Sequence, residues 1–251
     1  LSVGMDEIPD YLGKAFVAIE DERFYQHNGI DFKSIIRAGY QFFKTGGEEA
    51  QGASTITQQL LKNTVFTDWT SEGNNKIKRK IQEQYLALEI TKYYSKDEIL
   101  LRYMNAINLG QNTLGVESAS LRYFGKHCSE LTISECAVIA SITQNPSKYN
   151  PIRHPEENVK RREKCLNKML ELGFISQTQY DEAMADTDAV YERIGLYDID
   201  YQEANATTGS YFSDAVYEQV KQDLILSGYN ENMAETLLTS GGLRVESTLD
   251  P

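Results

Sequence analysis

Most of the chain has the hydrophobic spacing of α-helices. From residue 8 to about residue 174, apolar side chains recur at intervals of three and four, which places them on one face of a helix. Two of these stripes are Ile77, Ile81, Leu86 and Ile90, and Ile99, Leu100, Tyr103 and Ile107. The pattern predicts an all-α domain.

Local signals predict where several helices begin and end. Two pairs stand three residues apart before an apolar run, in the capping-box pattern that begins a helix, Ser95 with Glu98 and Thr132 with Glu135. Helix ends are expected at Gly110 and Gly125. The prolines of NPSKYNP force an extended turn after Ile142.

Residues 181–251 differ from the rest of the chain in charge and pattern. They hold 15 acids and 3 bases, whereas residues 1–180 hold 22 of each. The segment SYFSDAVYEQVKQDLILSG predicts one amphipathic helix, with a stripe of Phe212, Val216, Val220 and Leu224. GGLRVEST then predicts a single β-strand. We therefore divide the chain into a domain at 1–180 and an acidic linker segment at 181–251.

Composition excludes several classes of protein. A net charge of −12 argues against a nucleic-acid partner. Cys128, Cys136 and Cys165 form no C-x-x-C pair and have no His at zinc spacing, so we expect small buried side chains rather than a metal site or disulfides. No window reaches the roughly 18 to 20 apolar residues of a membrane span. Because the sequence begins without Met and stops at STLDP, we expect it to be part of a longer protein.

A carboxylate, an aromatic ring and an imidazole recur at helical spacing in AFVAIEDERFYQHNG. If one helix continues through this segment, Glu20, Phe24 and His27 share a face. Glu20 follows apolar residues, and desolvation there would suit a general base. The alternative is a solvated Glu–Asp pair at a helix end, beside a turn histidine.

The segment GGEEAQGASTITQQLLKN combines a glycine-rich beginning with hydrogen-bonding side chains. Thr55, Gln59 and Lys62 stand at i, i+4 and i+7 of a predicted helix, a face that suits sugar hydroxyls together with a phosphate. The glycines fit a loop that rearranges on substrate binding, and the segment lacks the Gly-Lys-Ser/Thr of a Walker loop. The alternative is a polar surface helix after a linker.

Cations are concentrated in the segment NKIKRKIQEQYLALEI, where residues 76–80 include four. Glu83 shares a predicted helix face with Leu86 and Ile90, and Arg79 stands one turn before it. An acid on an apolar stripe beside a guanidinium is either a buried structural ion pair or a catalytic group. We expect Glu83 to be partly buried and ionised, and to orient Arg79 or a divalent ion.

The segment FKSIIRAGYQFFK predicts a helix with a broad apolar stripe and basic flanks. The stripe consists of Phe32, Ile35, Ile36, Gly39, Tyr40 and Phe43. Aromatic residues with basic flanks suit a helix that lies in a membrane interface. A core helix explains the stripe equally well.

Together these segments resemble a known family. EDERFYQHNG, GASTITQQLLKN, RKIQE, KDEILLRYMN and NPSKYNP are similar, in order, to the five motifs of the peptidoglycan glycosyltransferase domain, glycosyltransferase family 51. That domain occurs in class A penicillin-binding proteins and in monofunctional enzymes. GGLRVESTLDP resembles the linker strand that leads into the transpeptidase domain of the class A proteins. One departure lies at Gln111, Asn112 and Thr113, where a run richer in glycine and aromatic residues is expected.

The resemblance covers about residues 8–173 and implies a lysozyme-like α fold. It also implies polymerisation of lipid II into β-1,4 glycan strands, with inversion at the donor anomeric carbon and release of undecaprenyl pyrophosphate. Glu20 matches the general base, and Glu83 matches the second essential glutamate. The positions that match pyrophosphate-holding residues are Lys62, Arg79 and Lys80. The other matched cleft positions are Asp21, Phe24, His27, Thr55 and Gln59. Mg²⁺ or Mn²⁺ assists some members, and no organic cofactor is expected.

A location and partners follow from the same resemblance. The expected location is the outer face of the bacterial cytoplasmic membrane, with an N-terminal anchor that lies outside this sequence. The expected partners are lipid II, the growing glycan strand, the membrane surface, phosphoglycolipid inhibitors and a C-terminal transpeptidase domain. One alternative is a lysozyme-like hydrolase or lytic transglycosylase, which cleaves a neutral polymer and needs no cation cluster. Another is a module that binds lipid II without turnover.

Overall fold

The structure, a computed structural model, is built from helices joined by loops, with no β-strand in the part of the chain that it describes. It describes residues 1–44, 54–66, 73–111, 113–197, 211–229, 231, 234 and 238, and gives the backbone alone for 41–43, 73–77 and 211–215. The helices are α1 (Asp10–Glu20), α2 (Phe32–Lys44), α3 (Ile56–Thr64), α4 (Gly73–Ile90), α5 (Lys96–Ala106), α6 (Val116–Phe124), α7 (Ile133–Ala140), α8 (Pro155–Glu171), α9 (Gln177–Ala185), α10 (Thr187–Glu192) and α11 (Tyr211–Leu226). The predicted all-α class is confirmed. The strand predicted from GGLRVEST lies outside the described residues.

Most of the predicted helix boundaries are confirmed. Ser95 and Glu98 form a capping box at the start of α5, and Thr132 and Glu135 form one at the start of α7. Gly125 ends α6 in the left-handed conformation. The stop predicted at Gly110 is wrong, because the backbone already becomes extended directly after Ala106 and α5 ends there.

A large core holds most of the domain together. It is built around α1, which packs against α7 and α8, while α3 packs against α5. Phe16 and Tyr103 are wholly buried in it and meet edge to face, with ring centroids 5.7 Å apart. All three free cysteines are buried in this core, as predicted.

A small core lies under α2 and α4. Among the described residues it consists of Ile30, Leu61, Phe66 and Ala87, with Ile35 and Leu86 packed against it. α4 is pinned to this core by close backbone approach at Gly29, which has a φ of +87°. A Cβ at Gly29 would lie 2.0 Å from the Ala87 carbonyl oxygen, so glycine alone permits the contact.

Helices α9 and α10 are packed on the large core. Val190 of α10 is wholly buried, and the buried Arg162 of α8 donates to the Ala183 carbonyl, the Ser134 hydroxyl and the Thr187 hydroxyl. α9 thus runs across the division drawn at residue 180. That division stays a prediction.

Candidate active site

An open cleft of about 860 Å³ brings together side chains from α1, α3, α4 and α8. Six of the ten predicted site residues line it, Glu20, Gln59, Lys62, Arg79, Lys80 and Glu83. The lining also includes Lys160, Arg161 and Lys164 of α8, and Glu157. The described lining therefore carries six cations and three carboxylates, although the whole chain has a charge of −12. Such a cleft attracts an anionic ligand.

Glu20, the last residue of α1, is held by three donors from three parts of the chain. Its Oε1 accepts hydrogen bonds from the Thr143 hydroxyl at 2.5 Å and from an Arg161 guanidinium nitrogen at 2.6 Å. Its Oε2 accepts one from the Gln59 amide at 2.8 Å. A carboxylate oxygen has two lone pairs, so among the described contacts Oε2 is the atom that keeps one free.

The helix does not continue beyond Glu20, so the expected shared face of Glu20, Phe24 and His27 is wrong. The backbone leaves the helical region at Asp21. There the buried Asp21 carboxylate contacts His27 Nε2 at 2.9 Å and accepts a hydrogen bond from the Ile56 backbone N–H at 3.1 Å. These contacts join the end of α1 to the start of α3.

The described lining of the cleft does not include the other four predicted site residues, Asp21, Phe24, His27 and Thr55. The Thr55 hydroxyl, predicted to share a face with Gln59, instead caps α3 and donates to the Gly29 carbonyl at 2.6 Å. Their assignment as substrate-binding side chains stays a prediction, and their described contacts are with other parts of the protein. Their contacts fix the loop that carries Glu20.

Phe24 is buried under a cation. The Lys96 ammonium stands 4.4 Å from the centroid of the Phe24 ring, and burial lowers the pKa of Lys96 while the charge of Asp21 partly opposes this. The hydroxyl of Tyr25, the residue after Phe24, donates to the Asp97 carboxylate at 2.9 Å. Burial raises the pKa of Tyr25 to about 12, and the hydrogen bond to Asp97 adds to the shift. The start of α5 therefore holds the loop after α1.

Glu83 is buried, as predicted, with 3% of its surface exposed. Its partner is Lys80, whose ammonium lies 2.5 Å from Glu83 Oε1 and also donates to the Ser54 hydroxyl at 3.1 Å. The expectation that Glu83 orients Arg79 is wrong among the described contacts. Arg79 keeps a buried Nε with no hydrogen-bond partner, and it lines the cleft beside the ion pair.

Two partners of Glu20 were missed at the level of sequence, Thr143 and Arg161. Arg161 lies in the run KRREK at the start of α8, where Lys160 and Lys164 stand one helical turn apart. This second basic cluster, at residues 160–164, is the signal that could have indicated Arg161. Nothing local marks Thr143, whose contact with Glu20 spans 123 residues.

The apolar stripe of α2 is exposed rather than buried. Phe32, Ile36 and Tyr40 are 65%, 72% and 69% exposed, whereas Ile35 packs against the small core. The core interpretation thus holds for one side of the helix alone. Phe43 belongs to the same predicted stripe, and its side chain lies outside the described residues.

The described residues contain neither a candidate membrane span nor a candidate metal cluster. No helix among them is long and apolar enough to cross a membrane. No group of three or more His, Cys, Asp or Glu side chains stands together as a metal site in that part of the chain. Glu83, the buried carboxylate beside the cleft cations, is already paired with Lys80.

The fold and the site together define an all-α domain with a cationic cleft built around two glutamates, the buried Glu83 and the partly buried Glu20. A profile of the transglycosylase family matches residues 1–170. Over 257 aligned residues the chain is 41% identical to penicillin-binding protein 1A of Clostridium perfringens (strain 13), covering 99% of this chain and 36% of that protein. The chain belongs to the transglycosylase family.

Two further comparisons concern proteins of the same name. Penicillin-binding protein 1A of Aquifex aeolicus is 43% identical over 182 residues, which cover 72% of this chain and 24% of that one. The crystal structure of penicillin-binding protein 1A from Haemophilus influenzae matches 93% of this chain and 22% of its own, with 22% identity and a TM-score of 0.45. The chain spans about a third of the length of the curated relatives it matches.

Proposed function

We propose that this chain is a peptidoglycan glycosyltransferase that polymerises lipid II into β-1,4 glycan strands. The observation that carries the proposal is the cleft, in which the partly buried Glu20 and the buried Glu83 stand among six cations of the described lining. Membership of the transglycosylase family supports the same reaction class. The donor would be the growing strand on undecaprenyl pyrophosphate, and lipid II would supply the attacking 4-hydroxyl.

Glu20 is the proposed general base. Oε1 is occupied by Thr143 and Arg161, so the acceptor hydroxyl would approach Oε2, which has one lone pair free. The hydroxyl oxygen forms a bond to the donor anomeric carbon as its proton passes to Oε2, and the bond to the pyrophosphate oxygen breaks. Attack from the face opposite the leaving group inverts the anomeric centre.

The cations are the proposed binding site of the pyrophosphate. Lys62 of α3, Arg79 and Lys80 of α4, and the basic residues of α8 surround one cleft. Negative charge develops on the leaving oxygen in the transition state, and fixed positive charge stabilises it there. A hydrolase acting on a neutral glycan has no use for this cluster, which favours the transferase.

Glu83 is proposed to position Lys80 rather than to move a proton. Its buried carboxylate accepts a hydrogen bond from the Lys80 ammonium at 2.5 Å and so fixes the direction of the lysine side chain toward the cleft. The described ligands suit a divalent ion poorly, because cations surround this carboxylate. Dependence on Mg²⁺ or Mn²⁺ stays a prediction of the family resemblance.

The exposed stripe of α2 is proposed to rest on the membrane that holds the lipid-linked substrates. Phe32, Ile36 and Tyr40 present apolar surface, and the neighbouring Lys33 and Arg37 are also exposed. That combination suits a helix lying in the interface of an anionic bilayer. The outer face of the cytoplasmic membrane, a separate anchor, a transpeptidase domain and phosphoglycolipid inhibitors belong to the same proposal.

The decisive experiment is incubation of the chain with lipid II, followed by separation of polymer from substrate. The proposal expects polymer together with released undecaprenyl pyrophosphate. A parallel incubation with preformed glycan strands tests the hydrolase and lytic alternatives, which would shorten them. Binding of lipid II with no product in either incubation would indicate a binding module and would contradict the proposal.

A further inference from the structure

Tyr103, a wholly buried residue of α5, reaches Glu20 through one amide group. The Gln59 Nε2 atom donates to Glu20 Oε2 at 2.8 Å, and the Tyr103 hydroxyl lies 3.1 Å from Gln59 Oε1. Glu20, Gln59 and Tyr103 come from α1, α3 and α5, so this relay connects three helices at the cleft. Tyr103 itself does not line the cleft.

The direction of each hydrogen bond in the relay follows from the chemistry of its groups. An ionised carboxylate can only accept, so the NH₂ group of Gln59 must face Glu20. The carbonyl oxygen of Gln59 then faces Tyr103 and can only accept, so the tyrosine hydroxyl must donate. Burial raises the pKa of Tyr103 well above its ordinary value, with the charge of Glu20 adding to the shift, and the hydroxyl keeps its proton.

The tyrosine ring is fixed by packing, so its hydroxyl keeps a defined position beside the Gln59 amide. It meets Phe16 edge to face in the large core, with an interplanar angle of 87°. The Gln59 amide, by contrast, has two nearly isosteric orientations. In the flipped orientation its oxygen would face Glu20 Oε2, and the carboxylate would lose a donor and meet a repulsive dipole.

We propose that Tyr103 is a positioning residue for glycosyl transfer, whose hydroxyl locks the position of the Gln59 amide through its hydrogen bond to Oε1, so that the amide N–H stays directed at Glu20 Oε2. This inference rests on the proposed function, in which Oε2 takes the proton. The other groups that face Glu20 are the Arg161 guanidinium and the Thr143 hydroxyl, and both contact Oε1. Gln59 is thus the one described donor on the atom that reacts.

Tyr103→Phe tests the lock, because it removes the hydroxyl and keeps the ring. We expect kcat to fall about three- to tenfold, with KM nearly unchanged. The acidic limb of the pH–rate profile should move to higher pH, because a Gln59 amide that is no longer anchored donates less well to Glu20, and a carboxylate with a weaker donor holds its proton more tightly. An acidic limb that stays in place would overturn the proposal.

Tyr123→Phe is the matched control. Tyr123 is also wholly buried, and its hydroxyl donates to the Leu109 carbonyl at 2.8 Å with no contact to Glu20 or Gln59. It should lower thermal stability much as Tyr103→Phe does and leave the acidic limb unmoved. An equal shift in both variants would show a general effect of stability and would contradict the lock.

A readout without substrate separates this inference from the proposed function. The ¹³C NMR titration of the Glu20 carboxyl, assigned with Glu20→Gln, should move to higher pH in Tyr103→Phe. If the wild-type chain makes no polymer but this titration moves, the relay stands and the proposed function falls. If polymer forms and the titration does not move, the relay falls alone.

A second variant keeps the test decisive if Tyr103→Phe does not fold. Gln59→Met removes the amide but keeps the length of the side chain, and it should move the Glu20 titration in the same direction. In a folded Gln59→Met background, adding Tyr103→Phe should produce no further shift, because the hydroxyl acts through the amide. A further shift would show that Tyr103 acts on Glu20 by another route.

Discussion

Glu20 stands at the end of a helix buried in the large core, whereas Glu83 stands on a helix packed over the small core. Three donors from three distant parts of the chain fix Glu20. Glu83 is fixed by Lys80, one turn away on the same helix, with 43% of the lysine side chain exposed. The comparison teaches that the two glutamates are suited to different tasks.

In the proposed mechanism Glu20 is a base that must meet its proton in one geometry, and the large core supplies that rigidity. A group that holds a long, charged pyrophosphate can tolerate more freedom, and long lysine and arginine side chains provide it. The cleft has two walls, one that carries Glu20 and one that carries Glu83. They are joined at Gly29, where the loop after α1 touches α4 at Ala87. Each prediction below tests one side of this comparison or the junction between them.

The largest effect is expected from Glu20→Gln. It keeps the shape of the side chain and removes the base, so polymerisation should fall by about 10² to 10⁴. The measurement is polymer formation from lipid II at saturating substrate, with circular dichroism to verify folding. A folded variant with turnover near wild type would remove Glu20 from its role.

Glu83→Gln is the matched change on the other wall. It should lower activity by about tenfold or more through the loss of a charge-assisted contact to Lys80. The acidic limb of the pH–rate profile should stay in place, because Glu20 sets it. A shift of that limb in Glu83→Gln, where chemistry limits the rate, would reverse the assignment of the two glutamates.

The junction between the walls is tested by Gly29→Ala. The added Cβ would meet the Ala87 carbonyl and would also strain a positive φ, so we expect a loss of roughly 3 kcal/mol or more in the free energy of unfolding. Gly173→Ala is the control, since Gly173 has a φ of +69° with no heavy atom near its Cβ position. It should lose about 1 kcal/mol. Equal losses in urea denaturation would show that the contact with α4 is unimportant.

Lys80→Met tests whether the wall of the cleft that carries Glu83 depends on the ion pair between Lys80 and Glu83. A buried carboxylate left without its cation is costly, and because Lys80 is half exposed we expect a loss of about 2 kcal/mol in stability. Adding Glu83→Gln should restore most of the stability and none of the activity. Failure of the double variant to regain stability would mean that Glu83 has another partner.

The exposed stripe tests whether the small-core side faces lipid. Phe32→Ser with Ile36→Ser should reduce binding to anionic vesicles by about tenfold, because the apolar surface that enters the interface is lost. Sedimentation with vesicles measures it. Leu226→Ser serves as the control, since Leu226 is exposed at the end of α11. Unchanged sedimentation of the α2 variant would assign the stripe to another contact.

The smallest effect is expected far from both walls, at the contact between His127 and Glu117. Burial raises the pKa of Glu117, but hydrogen bonds from the Cys128 backbone and from His127 outweigh it and lower the pKa overall. The hydrogen bond to Glu117, followed by its charge, raises the pKa of His127. An acid whose pKa is lowered by folding contributes stability at pH values above its ordinary pKa. A histidine whose pKa is raised by folding contributes stability at pH values below its ordinary pKa.

Both contributions of this pair are thus complete between about pH 4.5 and 6.5. The histidine contribution should be lost as the pH rises further, at a cost below about 1 kcal/mol, because His127 is largely exposed. His127→Gln should flatten the stability profile between pH 6 and 8. A profile with the same slope in the variant would contradict the pairing.

The sequence by itself determined the helical class, the capping boxes of α5 and α7, and the segments that meet in the cleft. These follow from local rules, because apolar periodicity and side-chain capping involve residues within a few positions of each other. The burial of Glu83 followed in the same way from its stripe with Leu86 and Ile90. The exposure of the α2 stripe did not follow from the sequence, because periodicity marks an apolar face without indicating what covers it.

The tertiary structure alone decided which groups touch the two glutamates. Thr143 and Arg161 reach Glu20 across 123 and 141 residues of chain, and no local pattern encodes such a contact. The break of α1 after Glu20 turned Asp21 and His27 toward the start of α3, so that a predicted helix face became an internal brace. Side-chain partners depend on how separate helices pack, and packing is set by the shape of the whole core rather than by any one segment.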